Sequence, residues 1–460
     1  MKNLSCIAII ILALGFLIIP AGHSYAADAI SVDNDTELEA NTERLMGLAE
    51  QLRGLSFYDS LPVQMVSTEE IGNIINDELD RQIDDANDRM FSELFELIGL
   101  IPGNQGLRDM YQELAEEQVA GLYDSHEKKF YVVDVDVSDM IGDMFGDMFG
   151  DLGNLGGLVE GFLKGMGFDM TDIIIVHELT HALDDQHFDI DSELNRRMAM
   201  NSDDMQLAYQ SLVEGNATRI MNDYSYGSLG IDPSQLEGMA DMQMDMMDGM
   251  LGGSFMEKMM IVPYLKGEEF TRHLISIGGQ QDLDDAFLDP PQSMEQILHP
   301  DRYTGHRDEP SWVDNPNLSS VLDGWEFQVD DTLGELLIAT TFEQLAWNWD
   351  EATVIADGWD GDRVTSWMSP DGDIAMAWVT VWDNDGEARD FYDAYKEVIR
   401  RKYRNGEWED SRVDLEIMNE AGFSYAVEIY DYYVVIVEGV PRDQIVEALD
   451  TAWETKVEVK

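Results

Sequence analysis

One segment constrains this chain more than any other: Thr-Asp-Ile-Ile-Ile-Val-His-Glu-Leu-Thr-His-Ala-Leu-Asp-Asp-Gln-His-Phe-Asp, running from Thr171 to Asp189. His177 and His181 are four residues apart, so on a helix they share one face about one turn from each other. Two neutral imidazoles presented that way can chelate one Zn²⁺. Glu178, beside the first of them, can reach a water at the metal without ligating it. The apolar residues Ile173, Ile174, Ile175 and Val176, with Leu179, Ala182 and Leu183, predict that this helix is buried. A buried helix carrying two histidines and a glutamate needs a reason, because unpaired polar groups in a core are costly. The chain has 8 histidines in 460 residues, so two in register beside a glutamate are a specific signal. The competing reading is a structural helix with its histidines on a wet edge.

Composition limits how such a site can be built and where it works. Lys2, the apolar run Ile7 to Ile19, Pro20, Gly22 and the small-x-small Ser24-Tyr25-Ala26 read as a signal peptide over residues 1–26. The run is shorter than the roughly 20 residues a membrane span needs. A secreted or extracytoplasmic protein is therefore expected. The single cysteine, Cys6, lies in that leader, so the mature chain offers no disulfide and no thiolate ligand. A metal site has to come from histidine and carboxylate.

With 28 basic against 93 acidic residues, the net charge of −65 excludes nucleic acid and anionic membranes as partners. Membrane association is left only to the Met-rich segments or an uncleaved signal. Disorder is the usual expectation at such charge, but 44% hydrophobic residues and 10 Trp, 17 Tyr and 17 Phe supply a large core. A folded protein with an acidic shell, adapted to high salt, fits both facts.

The pattern predicts an α+β protein of two domains, a larger one over 27–310 and a smaller α+β domain over 331–460, joined by a Pro-, Asn- and Ser-containing linker over 311–330. In the first, helical spacing runs from Leu38 to Arg53, Pro62 to Ser67 reads as a strand, and residues 119–124 and 129–134 read as a hairpin. A second helix around Gln206 to Met221 holds Glu214. Two Met-rich stretches, Gly142 to Gly167 and Met239 to Met260, are expected to be mobile insertions flanking a cleft. In the second domain, Asp373 to Trp382 is an expected strand, Glu387 to Lys402 a helix and 423–438 a hairpin.

A hydrolytic zinc takes three protein ligands and keeps a position for water. Two residues compete for the third place. His187 stands six beyond His181, but a continuing helix at about 100° per residue turns it well away from the metal. The alternative spacing, HExxHxxGxxH, needs a glycine where this chain has Asp184. Glu214, on the second helix, is the other candidate.

The blocks His177-Glu-Leu-Thr-His-Ala-Leu183 and Leu212-Val-Glu-Gly-Asn-Ala217 resemble the gluzincin branch of HExxH metallopeptidases. More narrowly, the chain is similar to a group of secreted prokaryotic zincin-like proteins. The similarity extends to Ala120 to Asp124 and Pro290 to Pro300, with a weaker echo at Ala356 to Asp362. The resemblance implies a zincin-like domain, a mixed sheet plus active-site helix, with zinc held by His177, His181 and Glu214 and with Glu178 as general base. It implies a peptide or protein substrate. Tyr264, His299 and Tyr303 are candidate oxyanion donors, and Asp184 or Asp185 a partner orienting a ligand imidazole. The reading from a different class is a non-catalytic, zinc-stabilised binding or chaperone-like protein using its Met-rich stretches.

The acidic shell generates a first prediction. In molar salt the mature chain melts at a higher temperature than in dilute buffer, because screening removes self-repulsion. Equal melting temperatures across a salt series would remove the salt-adapted reading.

Overall fold

The computed structural model describes residues 34–82, 85–101, 103, 106–110, 121–133, 170–229, 255–345 and 347–459. Helix α1 (Asn34–Arg53), strand β1 (Val63–Val66), helices α2 (Thr68–Gln82) and α3 (Asp85–Ile98) and strands β2 (Gly121–Asp124) and β3 (Lys129–Val133) precede the histidine helix α4 (Met170–Phe188). Helices α5 (Ile190–Met198), α6 (Asp203–Leu229), α7 (Phe255–Gly278), α8 (Gln280–Leu288), α9 (Met294–Leu298) and α10 (Pro300–Thr304) follow. The rest comprises β4 (Trp312–Val313), β5 (Glu326–Asp331), α11 (Gly334–Leu345), α12 (Trp349–Ala356), β6 (Trp359–Met368), β7 (Ile374–Trp382), α13 (Asp385–Lys402) and β8 (Glu407–Ser411). It closes with β9 (Leu415–Glu420), β10 (Phe423–Tyr430), β11 (Tyr433–Pro441), α14 (Ile445–Trp453) and β12 (Val457–Glu458). The expected α+β class holds. No described helix is long and apolar enough to cross a membrane.

Helix α1 ends where expected, at Gly54, whose φ of +77° an L side chain adopts only with strain. Strands β1, β3 and β2 form a small mixed sheet in that order, β1 parallel and β2 antiparallel to β3. One face of this hairpin lies on α4. There Tyr123, Phe130 and Val132 meet Ile175, Val176, Leu179 and Ala182, with Leu45 and Ala49 of α1 and Ile220 of α6 completing the cluster. Helix α4 is buried on every side over residues 172–185, its ionisable residues included.

Helices α6 and α7 cross at a glycine contact. A Cβ on Gly267 would stand 3.0 Å from the Gly215 Cα and closer still to the Ser211 carbonyl; one on Gly215 would run into the Gly267 backbone. The two helices therefore touch backbone to backbone one residue from Glu214.

The C-terminal half is built on a seven-stranded antiparallel sheet, ordered β5-β6-β7-β11-β10-β9-β8. Its central strands are buried on both faces. Along β7, Met376, Trp378 and Trp382 face α13 and the main core, while Ala375, Ala377, Val379 and Val381 face a second cluster with Ile445, Ala448 and Leu449 of α14. Asp362 explains much of the Ala356 to Asp362 block. Its buried carboxylate accepts from the indoles of Trp359 and Trp378, each at 2.9 Å, and from the Leu333 and Gly334 amides that open α11.

Three expectations are corrected. First, the stretch read as a linker is built into the fold: β4 pairs with β12, β5 is an edge strand of the large sheet, and Leu318, Val321 and Leu322 are core residues. Ser311 donates to the Asp360 carboxylate at 2.5 Å and Thr365 to the Pro316 carbonyl at 2.6 Å, so this strap is pinned to β6. Proline and asparagine signalled the absence of regular structure, not of packing. Second, one apolar cluster runs from Val66 and Phe95 through Leu212 and Phe270 to Trp378 and Ile436, so the two expected domains pack against each other through apolar faces and are not held by a tether alone. Third, Met256, Met259 and Met260 open α7 inside that core, where a thioether fills irregular gaps. Gly142 to Gly167 and residues 239–254 of the Met-rich stretches lie outside the described residues.

Gly267→Ala tests the helix crossing. Alanine is the better helix former by up to about 1 kcal/mol, but forcing α6 and α7 apart costs about 1–3 kcal/mol or more. A net loss of stability in denaturant at fixed salt is expected, and a gain would mean the crossing is not tight.

Candidate metal centre

The apolar residues of α4 drive the helix inside, and the polar residues it carries must then find partners. Asp172 accepts from Asn41 at 2.6 Å, from Arg44 at 2.5 Å and from the Tyr224 hydroxyl at 3.1 Å. Asp184 accepts from Arg53 at 2.6 Å and from Asn216 at 2.5 Å. Asp185 accepts from the Tyr123 hydroxyl at 2.6 Å, from Lys128 at 2.7 Å and from the Ile190 amide at 3.0 Å. Each bond recruits a different neighbour. Asn216, two residues past Glu214, thereby ties α6 to α4, and Gly215 between them admits α7.

These constraints bring His177, His181 and Glu214 together. The Nε2 atoms of the two histidines are 3.0 Å apart, and each is 3.2 Å from Glu214 Oε2. All three side chains are essentially inaccessible. A tetrahedral ion at roughly 2.0–2.1 Å from each donor sets donors roughly 3.3 Å apart. The observed triangle is one face of such a tetrahedron, and the residues fit zinc. Without a cation, two imidazole nitrogens and a carboxylate oxygen converge on one point and compete for whatever protons are there.

Electrostatics follow from that crowding. Burial alone would raise the Glu214 carboxyl, but attraction to His181 and hydrogen bonds from both imidazoles outweigh it and hold Glu214 down at about 2. His181 shows the reverse: burial lowers it, and Glu214 more than compensates, raising it to about 9. Burial lowers His177, which stays below the usual imidazole range. Without a metal the triad thus pairs the Glu214 carboxylate with one proton held on the imidazole side.

Glu178 is beside the triad but outside it. Its Oε2 accepts the Tyr123 amide from β2 at 2.7 Å, and its Oε1 is buried without a hydrogen bond among the described residues. Burial raises this carboxyl to about 7, with the Glu214 charge adding to the effect and His181 and the Tyr123 amide opposing it. Gly121 makes the approach of β2 possible, since a Cβ there would sit 3.0 Å from Ile174 Cγ2 and 3.5 Å from Glu178 Cγ.

The other candidates sort clearly. His187 is not at the triad: its Nδ1 lies 2.8 Å from the Tyr58 hydroxyl and its Nε2 2.8 Å from the Ser56 carbonyl oxygen. Helix α4 runs on to Phe188, so the rotation expected of a continuing helix applies. Asp184 and Asp185 do not orient an imidazole, because their oxygens are spent on Arg53, Asn216, Tyr123, Lys128 and Ile190. Among the described residues neither Nδ1 of His177 nor that of His181 has a hydrogen-bond partner. Tyr264 stacks on His177, ring centroids 5.9 Å apart. His299 bonds Glu335 instead, and Tyr303 donates to the Asp289 carbonyl. Sequence reasoning missed Arg53, Tyr123 and Gly267; only Gly215, adjacent to Glu214, left a mark a reader could have used.

A family model described as a domain of unknown function (DUF8575) matches residues 323–450, which span the seven-stranded sheet with its helices and leave out the His177 triad. No curated protein and no solved structure matches the chain.

Zinc titration separates the two third-ligand readings. Glu214→Ala is expected to weaken zinc binding sharply, by removing one donor and its charge. His187→Ala is expected to leave affinity intact and to cost only the stability of its bonds to Tyr58 and Ser56. Zinc loss in the His187 variant with retention in the Glu214 variant would reverse the assignment.

Proposed function

We propose that this protein is a secreted, salt-adapted zinc peptidase of the gluzincin kind, with His177, His181 and Glu214 as metal ligands and Glu178 as general base. The observation carrying the reading is the donor triangle of 3.0, 3.2 and 3.2 Å beside a glutamate that is not part of it. When bound, zinc supplies Lewis acidity to water and to the scissile carbonyl. The chain supplies the rest. Glu178 Oε1, buried and without a partner among the described residues, accepts a proton from the attacking water and later delivers it to the leaving amine nitrogen. The Tyr123 amide holds the other oxygen, so the carboxylate keeps its aim while its proton comes and goes. Tyr264, stacked on His177, is the oxyanion candidate that lies at the site.

A zinc-stabilised binding protein needs the triad but has no use for a buried base beside it. The distinguishing variant is Glu178→Gln, read in molar salt on an unstructured protein substrate with zinc measured in parallel. Cleavage is expected to fall by several orders of magnitude while zinc content stays unchanged. Undiminished cleavage, or loss of zinc, contradicts the role; no cleavage by the unaltered protein under any salt condition favours the binding reading.

A further inference from the structure

Two sequence blocks unused by the His177 centre, Pro290 to Pro300 and Ala356 to Asp362, meet where α9 and α10 pack against the C-terminal half. His299 lies between α9 and α10, Glu335 in the first turn of α11 and Asp357 just after α12. Each places a donor atom within 4.8 Å of the other two. His299 Nε2 is 2.9 Å from Glu335 Oε1 and 3.8 Å from Asp357 Oδ1. Glu335 is buried, and its second oxygen, Oε2, has no hydrogen bond among the described residues. Beside it Glu295 is fully buried; Oε1 meets Arg302, and Oε2 has no hydrogen bond among the described residues. Arg302 also reaches Asp357 Oδ1 at 2.9 Å. Asp308 and Asp383 group with Glu295.

Acidic clusters on a chain with 93 acidic residues carry little weight by themselves. This one differs in holding an imidazole and a buried carboxylate with an oxygen left unbonded among the described residues. Charge decides the rest. Arg302 bridges Glu295 and Asp357, so one guanidinium and the His299 imidazole face three carboxylates, those of Glu295, Glu335 and Asp357. Buried carboxylates in excess of their cations are costly, and a divalent ion removes that excess.

We infer that His299, Glu335 and Asp357 form a second divalent-cation site, distinct from the His177 centre, at the seam between the helical half and the C-terminal sheet unit. One imidazole nitrogen with two carboxylates suits a borderline transition ion such as Zn²⁺ over Ca²⁺, which prefers an all-oxygen cage. His299 and Asp357 are partly exposed, so the ion enters from the surface. Bound there, it ties the start of α10, the start of α11 and the end of α12 together.

The test is Zn²⁺ titration of the metal-stripped full chain in molar salt, by equilibrium dialysis and metal analysis, with thermal melts to establish folding. His181→Ala disables the first centre and is expected to retain one tightly held equivalent. Adding His299→Gln to that variant is expected to abolish it, and a tenfold excess of Ca²⁺ is not expected to displace it. Should His299→Gln fail to fold, Asp357→Asn, at a half-exposed position, is expected to lower the affinity roughly tenfold or more. The inference is overturned if His181→Ala retains no zinc, if His299→Gln or Asp357→Asn leaves the retained equivalent unchanged, or if Ca²⁺ displaces it. Retention of zinc by His181→Ala alongside loss in both second-site variants leaves the first centre to be judged separately, by whether the unaltered chain binds one equivalent more.

Discussion

Burying α4 is the constraint from which the surrounding arrangement follows. The helix carries Asp172, Glu178, Asp184 and Asp185 into the interior together with two imidazoles. A carboxylate taken out of water without a partner costs several kcal/mol. Each of the four therefore binds a particular neighbour: Asp172 and Asp184 fasten α1, Glu178 and Asp185 fasten the β2–β3 hairpin, and Asp184 also fastens α6 through Asn216. Apolar packing alone would let these elements slide, since burial is non-directional. Charged hydrogen bonds fix their positions along the helix. Arg53 shows the same principle from the other side, a guanidinium fully buried between Asp184 and Asp284 and stacked against Phe188 and Phe287.

What the sequence revealed was mostly what is local. Spacing on one helix put His177 and His181 on one face, and the same rotation placed His187 elsewhere. The hairpin before α4 and the strand at 374–382 were legible from alternation and turn residues. Glu214 had to be fetched by resemblance, because no local rule says which glutamate on a distant helix meets a histidine pair. The geometry now gives a local reason for its neighbours, a glycine that lets α7 in and an asparagine that bonds α4. Arg53 and the Tyr123 amide were invisible for a plainer reason. A buried arginine reads like any surface arginine, and backbone donors leave no trace in composition. The stretch over 311–330 misled because turn residues report backbone shape and say nothing of the side chains that pin a strap.

The C-terminal half uses its buried acids in the same structural way as α4 does. Its sheet is covered on both faces, by α13 and by α14, and its buried acids serve as fasteners. Asp362 binds two indoles and the start of α11, and Glu438 takes the Tyr395 and Tyr403 hydroxyls and the buried Lys402 ammonium. Lys402 also donates to the Leu97 carbonyl of α3, so one side chain links the sheet unit to the helical half. Acidic residues, the commonest charged type in the chain, are used inside it as polar rivets.

The apolar packing between the halves has a thermodynamic consequence. Because one apolar cluster runs from the strands near the histidine helix to β11, neither half can open without exposing the face it presents to the other. Folding free energy is then common property. An ion that binds only the folded chain raises its stability by an amount set by concentration and affinity, and that increment reaches the far sheet as fully as the helix that holds the ion. Occupancy of a buried metal site would thus be readable from the melting of strands that contribute no ligand to it.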